Sequence, residues 1–309
     1  MKAAIIVSKG ATPVIQKLEP PQPQQGCVLI DVDTAGLGGW DVLGAYRLGV
    51  EFPCVIRGEG VGRAQDGRRV YFGERSVRPY GAWAEKTLVP EDEVWDVPDD
   101  IDDITAINMG IAATGAWIPL EKANIQAGEN ILILGATGVL GQMALQFARH
   151  MGAGHIVAAA RNEESLKQLK KRNFADEIVT LGGEPTEDQA KLKDASKGGF
   201  DVVLDLVCGQ PMLNALKATR QGARIHTIGT GAGRQVNLDM ADLLFRTLTC
   251  IGTGQRSAQD RHQIWKNLLQ YTRDNKIVVD HHLFTLNDAP EAWDMQLNSP
   301  HAKILAKVF

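Results

Sequence analysis

The sequence predicts an α/β chain in which a doubly wound, six-stranded parallel sheet is joined to a second, β-rich domain. Three observations carry this expectation. Roughly the first hundred residues lack helical period and hold short apolar runs broken by glycine and proline. From about Thr105 onward, β-branched runs alternate with helix-length segments. The first of those runs leads directly into a glycine-rich turn and an amphipathic segment.

A chain of 309 residues is long for one core, so two domains are expected. Its 44% hydrophobic and 23% charged residues are those of an ordinary globular protein. A net charge of −4, from 33 basic and 37 acidic residues, leaves no basic field for nucleic acid or anionic lipid. The expected partner is therefore a small molecule. Cys27, Cys54, Cys208 and Cys250 form no CxxC pair, which argues against a disulfide framework and a thiolate zinc site. The "AAIIV" run near the N-terminus is too short for a secretion signal, and no apolar run approaches the ~18 residues of a membrane helix. A cytoplasmic location is expected, with no membrane contact.

In the first domain, "CVLIDVDTAG" alternates Val28, Ile30 and Val32 with Asp31 and Asp33, the pattern of a half-buried strand. "EPPQPQQG" before it reads as an extended connector, and "GRAQDGRRVYFG" and "RPYGAWAEKTLV" add short strands set off by glycines. The parallel-sheet strands are "NILIL", "HIVAAA", "EIVTL", "DVVLDL", "GARIHTIG" and "TLTCIG". Strands separated by helix-length segments require right-handed crossovers, with helices on both faces of the sheet. After a helix over "AQDRHQIWKNLLQYTRD", the closing "HAKILAKVF" again reads as strand and is expected to return to the first domain. The expected boundaries are thus 1–110, completed by 260–309, and 111–259.

Gly135, Gly138 and Gly141 follow the strand "ILIL" and open a helix whose Leu140, Ala144, Phe147, Ala148 and Met151 fall on one face. In such a loop the first glycine permits the tight turn, the second lets the backbone approach a pyrophosphate, and the third allows close helix-to-strand packing. Gly135, Thr137, Gly138, Val139, Leu140 and Gly141 are therefore the candidate dinucleotide cradle. A second strand that selects NAD ends in Asp or Glu, about 20 residues on. Here that end is Ala160, Arg161 and Asn162. A guanidinium pairs with a 2′-phosphate that a carboxylate would repel, so NADP(H) is the expected cofactor. Asn162 also suits the N-cap of the helix over "EESLKQLKK".

With these residues in hand, the chain resembles the medium-chain dehydrogenase/reductase superfamily, in its zinc-independent, quinone-oxidoreductase-like branch. The likeness rests on "AGLGGWDVLGAY", "FPCVIRGEGVG", "GAWAEKTLVPEDEVWDVPDDI", "AATGAW", "AGENILILGATGVLGQMALQFARHMGA", "FDVVLDLVCG", "GARIHTIG" and "APEAWDMQLNSPHAKILAKV". It implies a GroES-like β-rich catalytic domain and a Rossmann domain. It further implies cofactor contacts from Thr114, from Gly229 and Thr230, and from Thr253, together with a homodimer formed through the sixth Rossmann strand.

Departures from the family pattern are informative. Zinc-dependent members carry a Cys in the segment matching "GLGGWDV" and Gly-His-Glu in the segment matching "VIRGEGVG". Here these positions hold Gly38 and then Arg57, Gly58 and Glu59, and the seven histidines include no HxxxH pair. No metal is expected, and Arg57 is expected to pair with Glu59. Without a Lewis acid, reduction is easiest where conjugation delocalises the developing charge. The resemblance therefore implies NADPH-dependent reduction of a quinone or an activated C=C in an electrophilic small molecule. The alternative is an NADP(H)-binding sensor or structural protein with little turnover. Related enoyl reductases place a Tyr in the segment where this chain has Gly39 and Trp40. The proton-donor candidates are accordingly Tyr46, Tyr80 and solvent, with Trp40 and Asp41 lining the substrate pocket.

Overall fold

The structure is a computed structural model that describes residues 1–43 and 50–309. The chain divides into two compact units, residues 1–112 with 256–309, and residues 113–255. No helix among the described residues is long and apolar enough to cross a membrane.

The strands run in chain order. First come β1 (Lys2–Ile6), β2 (Val14–Lys17), β3 (Cys27–Leu37), β4 (Cys54–Val55), β5 (Glu59–Ala64), β6 (Arg69–Phe72), β7 (Lys86–Pro90) and β8 (Val94–Asp96). They are followed by β9 (Asn130–Leu134), β10 (His155–Ala160), β11 (Glu177–Thr180), β12 (Phe200–Asp205), β13 (Thr219–Thr227) and β14 (Thr247–Cys250), and then β15 (His281–Thr285) and β16 (Lys303–Lys307). The helices are α1 (Gly39–Leu43), α2 (Asp103–Asn108), α3 (Ile111–Ala123), α4 (Val139–His150), α5 (Glu163–Lys171), α6 (Pro185–Ala195), α7 (Gly209–Leu216), α8 (Ala258–Asp274) and α9 (Ala289–Leu297).

The first unit holds a three-stranded sheet, β2-β1-β4, and a larger one ordered β15-β16-β3-β5-β6-β8, with β7 also pairing with β3. β3 organises the larger sheet. It pairs antiparallel with β5 along one edge, and with β7 and then β16 along the other. A register shift between Val32 and Thr34 bends the strand, after which Thr34 to Leu37 are all buried. The C-terminal strand β16 therefore lies antiparallel to β3, with Ile304 opposite Leu37. α8 presents Ile264, Trp265, Leu268 and Leu269 to the interior, and Trp265 Nε1 donates to the Ala106 carbonyl at 3.0 Å. Its ring stacks on Tyr71 with centroids 5.1 Å apart.

A buried polar cluster lies inside this unit. Lys303 Nζ meets Glu59 Oε1 at 2.6 Å, and Glu59 Oε2 accepts from Tyr71 Oη at 2.6 Å and from the Ile111 N–H at 2.9 Å. Glu59, Lys303 and Tyr71 are each no more than 3% exposed. Burial and the adjoining Glu59 carboxylate hold the Tyr71 hydroxyl well above its usual pKa, so it remains a donor. The expected Arg57–Glu59 pair does not form. Arg57 Nη2 instead donates to the Glu74 carbonyl, and the ammonium that reaches Glu59 comes from the far end of the chain.

The second unit is a six-stranded parallel sheet in the order β11-β10-β9-β12-β13-β14. Counted along the unit this is 3-2-1-4-5-6, the doubly wound order with its switch point between β9 and β12. Ile131 to Leu134 of β9 and every residue of β10 are buried, as expected for strands covered on both faces. β14 occupies one edge.

Removing one member of a buried ion pair leaves an uncompensated charge, which typically costs about 3–5 kcal/mol. Lys303→Met should therefore lower the unfolding free energy by about that amount in urea titration. The Glu59→Gln/Lys303→Met double variant should recover part of the loss, because the stranded charge is gone. A Lys303→Met protein as stable as the parent would contradict this account of the cluster.

Candidate functional site

In the second unit, the carboxyl ends of the central strands carry most of the candidate residues. Gly135 opens the β9 exit turn at φ +75°, where a Cβ would sit 2.8 Å from Val207 Cγ1. Gly141, one turn into α4, faces that loop, and a Cβ there would lie 2.5 Å from the Gly135 carbonyl and 2.7 Å from Ala136 Cα. Both positions therefore require glycine, one for backbone conformation and one for close approach. Gly138 differs. It is the exposed N-cap of α4, and a Cβ there would meet only the Gly135 carbonyl, at 3.6 Å. The open side of this N-cap is the kind of space a bound anion fills.

No side chain caps α4, and its first turn has no acidic residue. The helix thus points unsatisfied N–H groups and the positive end of its dipole out of the loop. Thr137 is buried in the loop, and its carbonyl accepts from Gln142 Nε2 at 2.9 Å, bracing the turn against its own helix. Val139 and Leu140 form the first turn, and Leu140 Cδ1 packs where a Gly115 side chain would otherwise stand. These residues fit the phosphates of a dinucleotide.

At the end of β10, Ala160 is buried while Arg161 and Asn162 are exposed. Asn162 is the N-cap of α5, its Oδ1 accepting from the Ser165 N–H at 2.9 Å. The Arg161 guanidinium has no partner among the described residues, and its neighbour β9 carries the glycine turn. Gly229 and Thr230 follow β13. A Cβ on Gly229 would run into the Leu206 carbonyl, so the exits of β12 and β13 are in close contact. Thr114 is buried in α3, and Thr253 opens a short 3-10 turn after β14. The strand order thus places Ala160 to Asn162 and the glycine loop at the ends of neighbouring strands, with Gly229 to Thr230 two strands from the loop across β12, whereas Thr253 follows the edge strand.

Asp205, the last residue of β12, escaped sequence reasoning. It is fully buried, its Oδ1 accepting from the Val207 and Cys208 N–H groups at 3.0 and 2.8 Å and its Oδ2 from Thr227 Oγ1 at 3.0 Å. Burial raises its pKa, and the two backbone N–H groups and Thr227 oppose the shift. Its carbonyl accepts the Ile228 N–H at 2.9 Å, so one residue fixes the exits of both strands beside the glycine turn. The available signal was an Asp closing an apolar run just before "CG".

In the first unit, α1 carries Trp40 and Asp41. Trp40 is 48% exposed and does not enter the core, while Asp41 is 4% exposed. Asp41 Oδ2 accepts from the Gly38 N–H at 2.8 Å and Oδ1 from the Gly58 N–H at 3.2 Å. Its carboxyl therefore ties together the two glycines that stand at the metal-ligand positions. Burial pushes the Asp41 pKa up to about 7, the Glu74 carboxylate adding to the shift and the Gly38 N–H and Lys303 opposing it. Gly58 itself adopts φ +51°, and a Cβ on it would collide with the Gly36 carbonyl. The local backbone thus excludes a histidine from that slot. Tyr80 is half-buried, and Tyr46 lies outside the described residues. No group of three or more potential ligands capable of holding a metal occurs among the described residues.

Comparison with known proteins agrees with this geometry. Residues 139–271 match the family model described as zinc-binding dehydrogenase. An L-threonine 3-dehydrogenase of Anaeromyxobacter sp. (strain Fw109-5) is 29% identical over 227 residues, covering 73% of this chain and 64% of that protein. The chain thus spans just under two thirds of the length of the threonine dehydrogenases it matches. Quinone oxidoreductase-like protein 2 of Bos taurus is 24% identical over 99% of this chain and 91% of its own. Among solved structures, the quinone oxidoreductase of Thermus thermophilus, also solved with NADPH, superposes with a TM-score of 0.80 at 25% identity over the whole of both chains. A six-stranded doubly wound sheet with a glycine turn at its switch point and a separate β-rich unit are the fold of these proteins, and the end-to-end likeness makes the chain similar to medium-chain dehydrogenase/reductases of the quinone-oxidoreductase-like kind.

Proposed function

We propose that the chain is a zinc-independent, NADP(H)-dependent oxidoreductase that reduces a quinone or a conjugated C=C. The observation that carries this reading is the glycine turn with its uncapped helix, set one strand away from Arg161, which has no partner among the described residues. The NADPH complex of the Thermus enzyme supports the same cofactor. Bound there, NADPH would supply a hydride to an electrophilic carbon or quinone. The residues of this chain would hold the pyrophosphate on the N–H groups of Val139, Leu140 and Gly141, and the 2′-phosphate on Arg161. Thr114, Gly229, Thr230 and Thr253 complete the proposed cofactor set, and Trp40 and Asp41 the proposed substrate pocket, with Tyr46 as the candidate proton donor.

Gly38, Gly58 and the closed contacts around Glu59 do not fit a catalytic zinc, and they weigh against the alcohol oxidation that the threonine dehydrogenases' name describes. The same features keep a second reading in play, an NADP(H)-binding sensor with little turnover. The discriminating experiment is steady-state NADPH oxidation with a panel of quinones and enones. Turnover that persists in chelator supports the reductase. Tight NADPH binding with no acceptor in either class supports the sensor, and loss of activity in chelator with rescue by zinc defeats the metal-free assignment.

Three further outcomes are expected. NADPH should exceed NADH in kcat/KM by about tenfold or more, since a charge-assisted contact is worth roughly 1.5–3 kcal/mol, and Arg161→Ala should narrow that ratio. Equal use of NADH by the parent protein would refute the role of Arg161.

Asp41 sets a pH dependence. A carboxyl whose folded pKa is raised from 3.8 to about 7 contributes stability that is present in acid and lost as pH rises through about 7. Asp41→Asn should flatten the profile of Tm against pH across that interval. Parallel profiles for the two proteins would rule this out.

Self-association is proposed through β14, because Met240, Leu244 and Phe245, just before this edge strand, are 67%, 73% and 62% exposed. Light scattering should report twice the 33.6 kDa chain mass, and Leu244→Asp/Phe245→Asp should report the single chain. A parent protein at the single-chain mass would exclude the dimer.

A further inference from the structure

Asp205 closes β12 and lies opposite Thr227, the last residue of β13. Its carboxylate is fully buried, and no ammonium or guanidinium pairs with it among the described residues. Burying a charge on neutral dipoles alone is costly. The chain nevertheless keeps one here and spends it on conformation. Oδ1 takes the Val207 and Cys208 N–H groups, Oδ2 takes Thr227 Oγ1, and the carbonyl of the same residue takes the Ile228 N–H. One residue thus locks two strand exits to each other.

The turn held by Oδ1 is strained. Cys208 sits at φ +58° and ψ −159°, a conformation essentially confined to glycine, and Gly209 follows at φ +66°. Such a residue persists only where its surroundings over-determine it, and the 2.8 Å bond from the Cys208 N–H to Asp205 supplies that restraint. The same turn reaches both of its neighbours. The Leu206 N–H donates to the Leu134 carbonyl at 3.3 Å, and Val207 Cγ1 fills the space a Gly135 side chain would need. On the other side the Val207 carbonyl accepts the Ala232 N–H at 2.7 Å. The turn therefore bridges the glycine loop and the loop that carries Gly229 and Thr230.

In a doubly wound sheet each half receives one mononucleotide, and the pyrophosphate crosses at the switch point. The β9–β11 half carries the glycine turn and Arg161 and so takes the adenosine 2′-phosphate, which leaves the β12–β14 half to the nicotinamide nucleotide. We propose that Asp205 is a positioning residue for the nicotinamide half of NADP(H), fixing the exits of β12 and β13 as one surface. The inference rests on the NADP(H) reading above. Being buried, Asp205 acts through the 206–209 turn and the Gly229–Thr230 step, not by touching the nucleotide.

The test measures binding of NADPH and of adenosine 2′,5′-bisphosphate, which lacks the nicotinamide nucleotide, by calorimetry on the full chain. In Asp205→Ala, NADPH should bind about tenfold more weakly while the bisphosphate stays within about twofold of the parent. In Asp205→Asn, the amide oxygen can hold the two N–H groups while Nδ2 donates to the Thr227 hydroxyl, so NADPH should stay within about threefold of the parent. Hydrogen exchange of residues 206–209 in nucleotide-free protein should quicken in Asp205→Ala and not in Asp205→Asn. Should Asp205→Ala fail to fold by circular dichroism, Thr227→Val carries the test. It cuts only the link to β13 and should weaken NADPH about threefold with the bisphosphate unchanged. Equal weakening of both ligands, or NADPH binding unchanged in Asp205→Ala and Thr227→Val alike, would overturn the proposal. A parent chain that binds neither ligand would instead defeat the cofactor reading beneath it.

Discussion

The Glu59 carboxylate is the constraint around which the first unit is arranged. Three donors converge on it from separate parts of the chain: the Tyr71 hydroxyl from β6, the Lys303 ammonium from β16 and the Ile111 N–H from the start of α3. A buried charge requires such saturation, because each unmet lone pair in a low-dielectric interior is costly. Once it is met, the register of β16 against β3 follows, and Tyr71 is held flat against Trp265 and within 5.3 Å of Trp95. The pair therefore specifies which chain segments meet, whatever its net contribution to stability.

The parallel sheet was legible because its strands are buried on both faces, so "NILIL" and "HIVAAA" stand out as unbroken apolar runs. The glycine loop was legible because strand, turn and helix are contiguous, and each glycine has a local reason to be there. The buried pair was not, because Glu59 and Lys303 are 244 residues apart and local spacing points to Arg57 instead. Asp205 was missed for a related reason. Its role is set by the N–H groups that follow it and by a threonine on the next strand, which no periodicity records. Whether Trp40 sits in the core or on the surface was equally illegible, since a large aromatic suits either place and only the fold sets its 48% exposure.

The two groups of glycines differ in physical consequence. In the Rossmann unit, Gly138 leaves an open N-cap at the end of a long helix, a place where negative charge is favoured. In the β-rich unit, Gly58 closes space, because its positive φ and the nearby Gly36 carbonyl leave no room for a side chain. Asp41 then occupies the gap by accepting from both neighbouring amides. The same residue type thus creates a binding feature in one unit and removes one in the other.

The first unit is discontinuous, with all of residues 113–255 inserted between its halves. During synthesis, the edge of β3 from Thr34 to Leu37 has no strand to pair with until β16 is made, and Glu59 has no counter-ion over the same interval. The Rossmann unit is contiguous, so its sheet is free to close while the β-rich unit still carries an open strand edge and an unpaired carboxylate. An open edge is the part of a nascent chain most exposed to wrong pairing. The late arrival of one short strand therefore sets how long this protein is vulnerable on the ribosome.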